Sequence, residues 1–322
     1  MNGRPTSRGP RPLAWIDGAI VPAARARVSV FDRGFLYGDA FFETLRVKDG
    51  RLVLWRPHLR RLRASLAAFG IDPPGPGLEE AARALLAAAG LREGALRLVV
   101  TRGTGEGLLP PPGLRPTVVM TLRPLPAGLA RAEASGIAAV RLRFGRGLAR
   151  ADAGHKSIAY LGSIAGRREA ARAGADDALF VESDGRVSEA TAGNLLVVRR
   201  GRLRTPPPSS GCLPGVTRAV ALSLARRAGL DVREEPIRAA DLGRADEILV
   251  TGSVVGILPV VRLDGRPVGD GRPGPVAARL AAAWHAHVAR SLAADTRRET
   301  RAAAGRSAVR GRSRVGSHRA RW

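Results

Sequence analysis

Lys48 and Lys156 are the only lysines among 53 basic residues; the other 51 are arginine. A guanidinium stays protonated at any working pH, whereas an amine can lose its proton and attack a carbonyl carbon. Arginine therefore cannot replace a nucleophilic lysine. In a chain so depleted of lysine, each survivor is a candidate for amine chemistry. Lys48, in Val47-Lys48-Asp49-Gly50, sits at a hairpin turn between strand-like runs and reads as a surface charge. Lys156 follows the turn-like Ala151-Asp152-Ala153-Gly154 and precedes Ser157-Ile158-Ala159-Tyr160-Leu161, read as the start of a helix. It carries the sharper expectation.

A second group of residues could serve a cofactor. Glu189 is followed by Asn194, by Thr205-Pro206, and by Leu213-Pro214-Gly215-Val216-Thr217-Arg218. A helix opened by Gly215 would aim the unpaired N–H groups of Val216 and Thr217, with the positive end of the helix dipole, at an anion such as phosphate. Glu189 falls where a strand ends in small residues, so its carboxylate could keep a ring nitrogen protonated. Taken singly, Thr217 is equally a helix cap, Glu189 a solvated acid and Tyr160 a core aromatic.

The elements that must position these residues fall into two units. Strands are expected over 15–20 and 27–31, a hairpin over 41–55, helices over 58–69 and 78–89, and strands over 95–101 and 117–122. These make an N-terminal α+β domain, 13–123, followed by a linker, 124–134. The second domain, 135–287, is expected to hold strands over 137–144, 178–183, 195–199, 203–205, 247–251 and 259–263. Its expected helices cover 156–173, 217–228 and 272–287. Residues 1–12 and the arginine-rich 288–322 are expected to be disordered. The fold class is mixed, α+β or α/β, in two domains.

Composition narrows the function classes. The 322 residues are 45% hydrophobic, which suits globular domains rather than wholesale disorder. The single cysteine, Cys212, allows no intramolecular disulfide and no cysteine-cluster metal site, and points to a reducing, cytoplasmic setting. No metal site is expected. The apolar run over 248–261 is too short and too interrupted to span a membrane, and the N-terminal arginines have no apolar stretch behind them to make a secretory signal. The net charge of +25 is spread along the chain and aromatic residues are only 4%. A basic nucleic-acid-binding protein is thus the weaker alternative, although the tail could attract polyanions without specificity.

In combination the motifs resemble the class IV family of pyridoxal-phosphate enzymes, which includes branched-chain aminotransferases, D-amino-acid transaminases and aminodeoxychorismate lyases. The resemblance runs from about Trp15 to Trp284, with Leu196 where the pattern prefers an aromatic and Ala159 where it carries asparagine. It implies a two-domain fold-type IV enzyme using pyridoxal 5'-phosphate. The resemblance aligns Lys156 with the catalytic lysine that joins the cofactor aldehyde, and Tyr160 with a tyrosine reaching the cofactor's phenolic oxygen. Glu189 aligns with the partner of the pyridine nitrogen, with Asn194 beside it, and Leu213 with the side chain on the ring face. Arg61, Val216, Thr217 and Ser253 align with the phosphate contacts, while Arg60 and Arg63 are expected to face solvent.

For the substrate the resemblance implies Phe42, Arg102, Leu109 and Val254. Gly107, Leu109 and Phe42 replace the Arg, His and Tyr by which D-amino-acid transaminases bind a carboxylate, which disfavours that specialisation. The turn Thr251-Gly252-Ser253-Val254-Val255-Gly256 aligns with the one whose amides hold the substrate carboxylate, with Gly256 where many relatives have Glu. The expected reaction is transfer of the amino group of an apolar, branched-chain-like L-amino acid to a 2-oxo acid with ping-pong kinetics. Release of pyruvate and 4-aminobenzoate from aminodeoxychorismate is the alternative. A homodimer is implied, the partner completing the mouth of the site.

Overall fold

Phe41, Glu43, Leu45 and Val47 alternate along one strand, and three of the four are the apolar residues such a face requires. The computed structural model describes residues 12–142 and 151–315, the stretch 297–315 as backbone only. Residues 1–11, 143–150 and 316–322 lie outside the described residues, and with them most of the expected N-terminal disorder and the end of the strand expected over 137–144.

The first sheet contains β1 (Leu13–Ile16), β2 (Ala19–Pro22), β3 (Ala40–Lys48), β4 (Arg51–Leu52), β5 (Gly94–Thr101) and β6 (Val118–Arg123), in the antiparallel order β2-β1-β6-β5-β3-β4. Helices α2 (Trp55–Ala68) and α3 (Leu78–Ala89) cover the face bearing Phe41, Leu45 and Val47, while the short α1 (Arg33–Tyr37) precedes β3. The strand expected over 15–20 is a hairpin instead: Asp17 and Gly18 both take positive φ, 44° and 105°, and reverse the chain. The stretch 27–31 forms no strand; its backbone runs to α1, whose first turn the Asp32 carboxylate caps through the Gly34 N–H.

The second sheet is larger and mixed. It contains β7 (Ile137–Leu142), β8 (Asp177–Val181), β9 (Arg186–Ala190), β10 (Asn194–Arg199), β11 (Arg202–Thr205), β12 (Asp231–Glu234), β13 (Ile237–Arg238), β14 (Glu247–Gly252), β15 (Gly256–Leu263) and β16 (Arg266–Pro267). The order is β12-β11-β10-β14-β15-β7-β8-β9-β13, with β16 on β15; β7 runs parallel to both β15 and β8. Its central strands are buried on both faces, which explains their unbroken apolar runs. Leu195 and Val197 face a core that includes Leu129 of α4 (Leu129–Ser135) and Leu242 of α7 (Ala239–Leu242). Leu196 and Val198 face α6 (Val216–Arg227) and α8 (Pro275–Val315), while α5 (Leu161–Arg172) packs on β8.

Two further expectations are corrected. The linker expected over 124–134 contains most of α4, anchored by buried Leu129. The disorder expected from residue 288 is absent through Val315, because α8 continues. Leu280, Trp284, Val288 and Leu292 recur every four residues on one buried stripe, and the alanines and arginines that follow have high helix propensity despite their like charge. The two domains meet here: Val53, after β4, joins that core, and the Arg51 guanidinium donates to the Leu292 carbonyl at 2.6 Å.

Candidate active site

Successive residues of β3 serve opposite faces. Glu43 points toward α2 and is almost fully buried; Phe42 points away, toward the second domain. Burying a carboxylate is costly unless charged donors meet it. Here Arg61 Nε and Nη2 donate to its two oxygens at 2.8 and 2.7 Å, and His58 Nδ1 lies 2.6 Å from Oε2. Burial opposes the charge on Glu43, but the hydrogen bonds from His58 and Arg61 prevail and hold its pKa at about 2. Burial outweighs Glu43 at His58 and lowers that pKa, so His58 is neutral and donates from Nδ1. The remaining arm of Arg61 donates to the Pro214 carbonyl at 3.0 Å, joining α2 to the segment that opens α6.

Lys156 does not open a helix. The segment around it lies along the end of β3: the Phe42 N–H donates to the Lys156 carbonyl at 2.9 Å and the Ile158 N–H to the Ala40 carbonyl at 3.1 Å. Helix α5 begins only at Leu161, with Tyr160 as its N-cap. The backbone of Lys156 is thus fixed to the first sheet while its amine points into a cavity between the two sheets. Nζ donates to Tyr160 Oη at 2.9 Å and lies 4.6 Å from the centroid of the Phe42 ring.

Glu189 lies near the end of β9 as a buried carboxylate. Its Oε2 accepts from the Leu213 N–H at 3.0 Å and from Asn194 Nδ2 at 3.4 Å, and Asn194 also donates to the Leu213 carbonyl at 2.8 Å. Asn194 therefore braces the loop that carries Leu213. Gly215 fits the same arrangement, since a Cβ there would collide with Asn194 Oδ1. No side chain caps α6 at Gly215, so its first-turn N–H groups face outward.

One cavity gathers Arg61, Lys156, Tyr160, Glu189, Asn194, Leu213, Val216, Thr217 and Ser253, all nine residues expected at the cofactor. The substrate expectations divide. Phe42 adjoins the cavity through Lys156 and through an edge contact with Tyr160, ring centroids 5.1 Å apart. Val254 follows the cavity-lining Ser253 at the β14–β15 turn, and its carbonyl accepts from Arg46 at 3.0 Å. Arg102 is not brought to the cavity: it bonds Asp39 and the carbonyls of Phe69 and Gly70 within the first domain. Leu109 is 87% exposed at a loop tip.

The donor set suits a phosphorylated, ring-bearing aldehyde. Thr217 Oγ1 and Thr251 Oγ1 are buried on the cavity wall without a hydrogen-bond partner, as are Ser163 Oγ and Ser210 Oγ outside it; folded proteins pair such groups with protein, water or a ligand, and the two on the wall are open to a ligand there. Beside them are the α6 N-terminus and Arg61, and farther round the wall a buried carboxylate and an amine. Cys212, next to Leu213, takes no such part; burial raises its thiol pKa to about 11 and leaves it protonated. No group of three His, Cys, Asp or Glu side chains able to hold a metal occurs among the described residues.

Sequence reasoning missed Glu43, His58 and Arg97. Arg97, on β5, lays its guanidinium 3.6 Å from the Phe42 ring centroid and has no carboxylate partner among the described residues. Its signal was a cation in the otherwise apolar Gly94-Ala95-Leu96-Arg97-Leu98-Val99-Val100.

Residues 40–263 match the family described as amino-transferase class IV, and the chain belongs to that family, as an enzyme of its class. A putative branched-chain-amino-acid aminotransferase of Methanocaldococcus jannaschii is 36% identical over 270 residues, covering 83% of this chain and 93% of that protein. The crystal structure of the Escherichia coli branched-chain amino acid aminotransferase superposes with a TM-score of 0.80 at 31% identity, covering 84% of this chain and 92% of that one. A T.th. branched-chain amino acid aminotransferase complexed with N-(5'-phosphopyridoxyl)-L-glutamate gives a TM-score of 0.79 at 28% identity, covering 87% of this chain and 95% of that one. No helix of the described residues is long and apolar enough to cross a membrane.

Proposed function

We propose that this protein is a pyridoxal 5'-phosphate-dependent aminotransferase of the branched-chain type, exchanging the amino group of an apolar L-amino acid with a 2-oxo acid in the cytoplasm. The observation that carries the reading is the convergence of Lys156, Glu189 and the two partnerless threonines on one cavity. The relatives' names supply the substrate class. Pyridoxal phosphate, when bound, contributes an aldehyde and a ring able to accept electrons.

The chain's own residues do the rest. Thr217, Ser253, Arg61 and the first-turn N–H groups of α6 hold the phosphate. Glu189, fixed by the Leu213 N–H and Asn194, keeps the ring nitrogen protonated. Leu213 would pack against the ring, and Tyr160 would steady its phenolic oxygen. Lys156 would be the nucleophile and then the base: its freed amine would remove the proton from the substrate α-carbon and deliver it to the carbon beyond the substrate nitrogen. Its backbone anchorage to β3 holds that amine at the cavity. Donor and acceptor visit the cavity in turn, so parallel lines in double-reciprocal kinetics are expected.

Phe42 gives the substrate pocket an apolar wall, and Arg97 adds a positive charge suited to an acidic co-substrate. Phe35, Leu108, Leu109, Leu161 and Ile164 are large apolar side chains left exposed, and a second copy of the chain covers them in the proposed homodimer. Leu109 then reaches a substrate across the interface, not within its own chain.

Separate assays with leucine, isoleucine or valine plus 2-oxoglutarate, and with aminodeoxychorismate, test the function. Keto-acid exchange from the branched-chain donors is expected. Pyruvate and aminobenzoate from aminodeoxychorismate, without exchange, would overturn the assignment.

A further inference from the structure

A second concavity lies behind the phosphate end of the reaction cavity, between α2 and α6. Its volume is about 550 Å³, within the roughly 300–1,000 Å³ typical of small-molecule sites. The two helices turn matching stripes toward it: Pro57, Arg60, Arg61 and Ala64 on α2 recur at helical spacing, as do Val216, Ala219, Val220, Ser223, Leu224 and Arg227 on α6. Where the stripes meet at one end, the Arg61 bond to the Pro214 carbonyl ties them together. Ala64, Ala219 and Ser223 are too small to fill the gap, and His287 of α8 contributes to the wall.

The charge of this groove is one-sided. Neither Arg60 nor Arg227 has a hydrogen-bond or ion-pair partner among the described residues, and no acidic side chain lines the groove. The similarly sized depression around Arg199, Arg200, Arg202 and Arg204 contains Asp231 and Glu235, and Arg202 and Arg204 are paired with them. Burial first, then Arg290 and Arg227, hold the His287 pKa below its ordinary value, so the uncompensated charge is that of the two guanidinium groups.

We propose that this groove binds a small carboxylic acid with an apolar body, at a site distinct from the reaction cavity. The carboxylate lies between Arg60 and Arg227, whose planar forks suit it, and the hydrocarbon lies along Val220 and Leu224. Charge complementarity selects the anion and the apolar floor selects its body. Arg61, Gly215 and Val216 belong to both walls, so the occupant sits directly behind the proposed phosphate cradle. Binding itself does not depend on the aminotransferase reading.

Octanoate, which has neither an amino nor a keto group to react at Lys156, is the probe. Calorimetric titration into the purified holoenzyme is expected to show saturable binding that a saturating branched-chain amino donor leaves in place. Octanol, with the same chain and no carboxylate, is expected to bind at least about tenfold more weakly. Arg227→Glu reverses one charge and Ala219→Trp fills the groove; both positions are exposed. Each is expected to weaken octanoate at least about tenfold while leaving ligand-free melting and kcat/KM for the amino donor within about twofold. No saturable binding, displacement by the amino donor, or equal affinity in both variants would each overturn the proposal. None of those outcomes bears on whether Lys156 carries the cofactor.

Discussion

Five threonines are buried among the described residues, and they divide by whether the hydroxyl has a partner. Thr101 donates to Asp32, Thr191, which also lines the cavity, to Asp177, and Thr205 to the Leu195 carbonyl. Thr217 and Thr251 have no partner, and both line the cavity that receives Lys156. The same side chain at the same depth thus does two jobs. Where its hydroxyl is satisfied it stabilises the fold; where it is left open, the hydroxyl is available to a ligand. The arginines divide similarly: Arg102 is spent wholly inside the first domain, whereas Arg61 is aimed by Glu43 at the junction and lines the cavity.

Substitutions on the two sides of that division are expected to separate activity from stability. The largest effect is expected at Lys156→Ala, which should lower kcat by about four orders of magnitude or more, as loss of a nucleophile and proton carrier implies, while melting changes little. Steady-state kinetics and calorimetry measure the two halves.

Glu43→Gln should affect both sides. It removes the charge that aims Arg61, so chemical denaturation should show a loss of roughly 3 kcal/mol and cofactor titration a weaker affinity. The same residue sets an acid limb. Its folded pKa of about 2 lies below the ordinary 4.5, so its stabilisation is complete above 4.5 and is lost as pH falls through about 2. Neutral His58 acts in the same direction at higher pH, because the unfolded ring takes up a proton first as pH falls. Denaturation at several pH values should show the limb between 4.5 and 2 flattened in Glu43→Gln.

Arg102→Gln should cost roughly 2 kcal/mol of stability by loosening Asp39 and two carbonyls, with the affinity of the folded protein for cofactor unchanged. A matched loss of affinity would erase the distinction between the two arginines. The smallest effect sharpens the threonine comparison. Thr217→Val should weaken cofactor binding about tenfold without loss of stability, whereas Thr205→Val should lose roughly 1–3 kcal/mol. Equal stability losses in the two variants would remove the basis for reading the open hydroxyls as ligand contacts.

Much of this site was legible because its chemistry needs particular residue types in a fixed order. Lys156 stood out against an arginine background, and Glu189, Asn194 and Gly215-Val216-Thr217 bracket one strand start and one helix start. Glu43 was hidden because a lone acid on the otherwise apolar face of Phe41, Leu45 and Val47 has no visible partner in the sequence until α2 brings His58 and Arg61 over it. The Glu43–Arg61 contact spans 18 residues of chain and leaves no local pattern. Arg102 failed for the converse reason: a cation in a suggestive loop finds its carboxylate, Asp39, far away in sequence. In α8 helix propensity and the Leu280-Trp284-Val288-Leu292 stripe outweighed charge repulsion.

Everything in the proposed chemistry rests on the Lys156 amine carrying the cofactor. Borohydride reduction of the purified protein, followed by peptide mass analysis, tests this directly. The account predicts a phosphopyridoxyl mass addition on the peptide containing Lys156 and none on the peptide containing Lys48. An unmodified Lys156 peptide, or the addition appearing on Lys48, would contradict it.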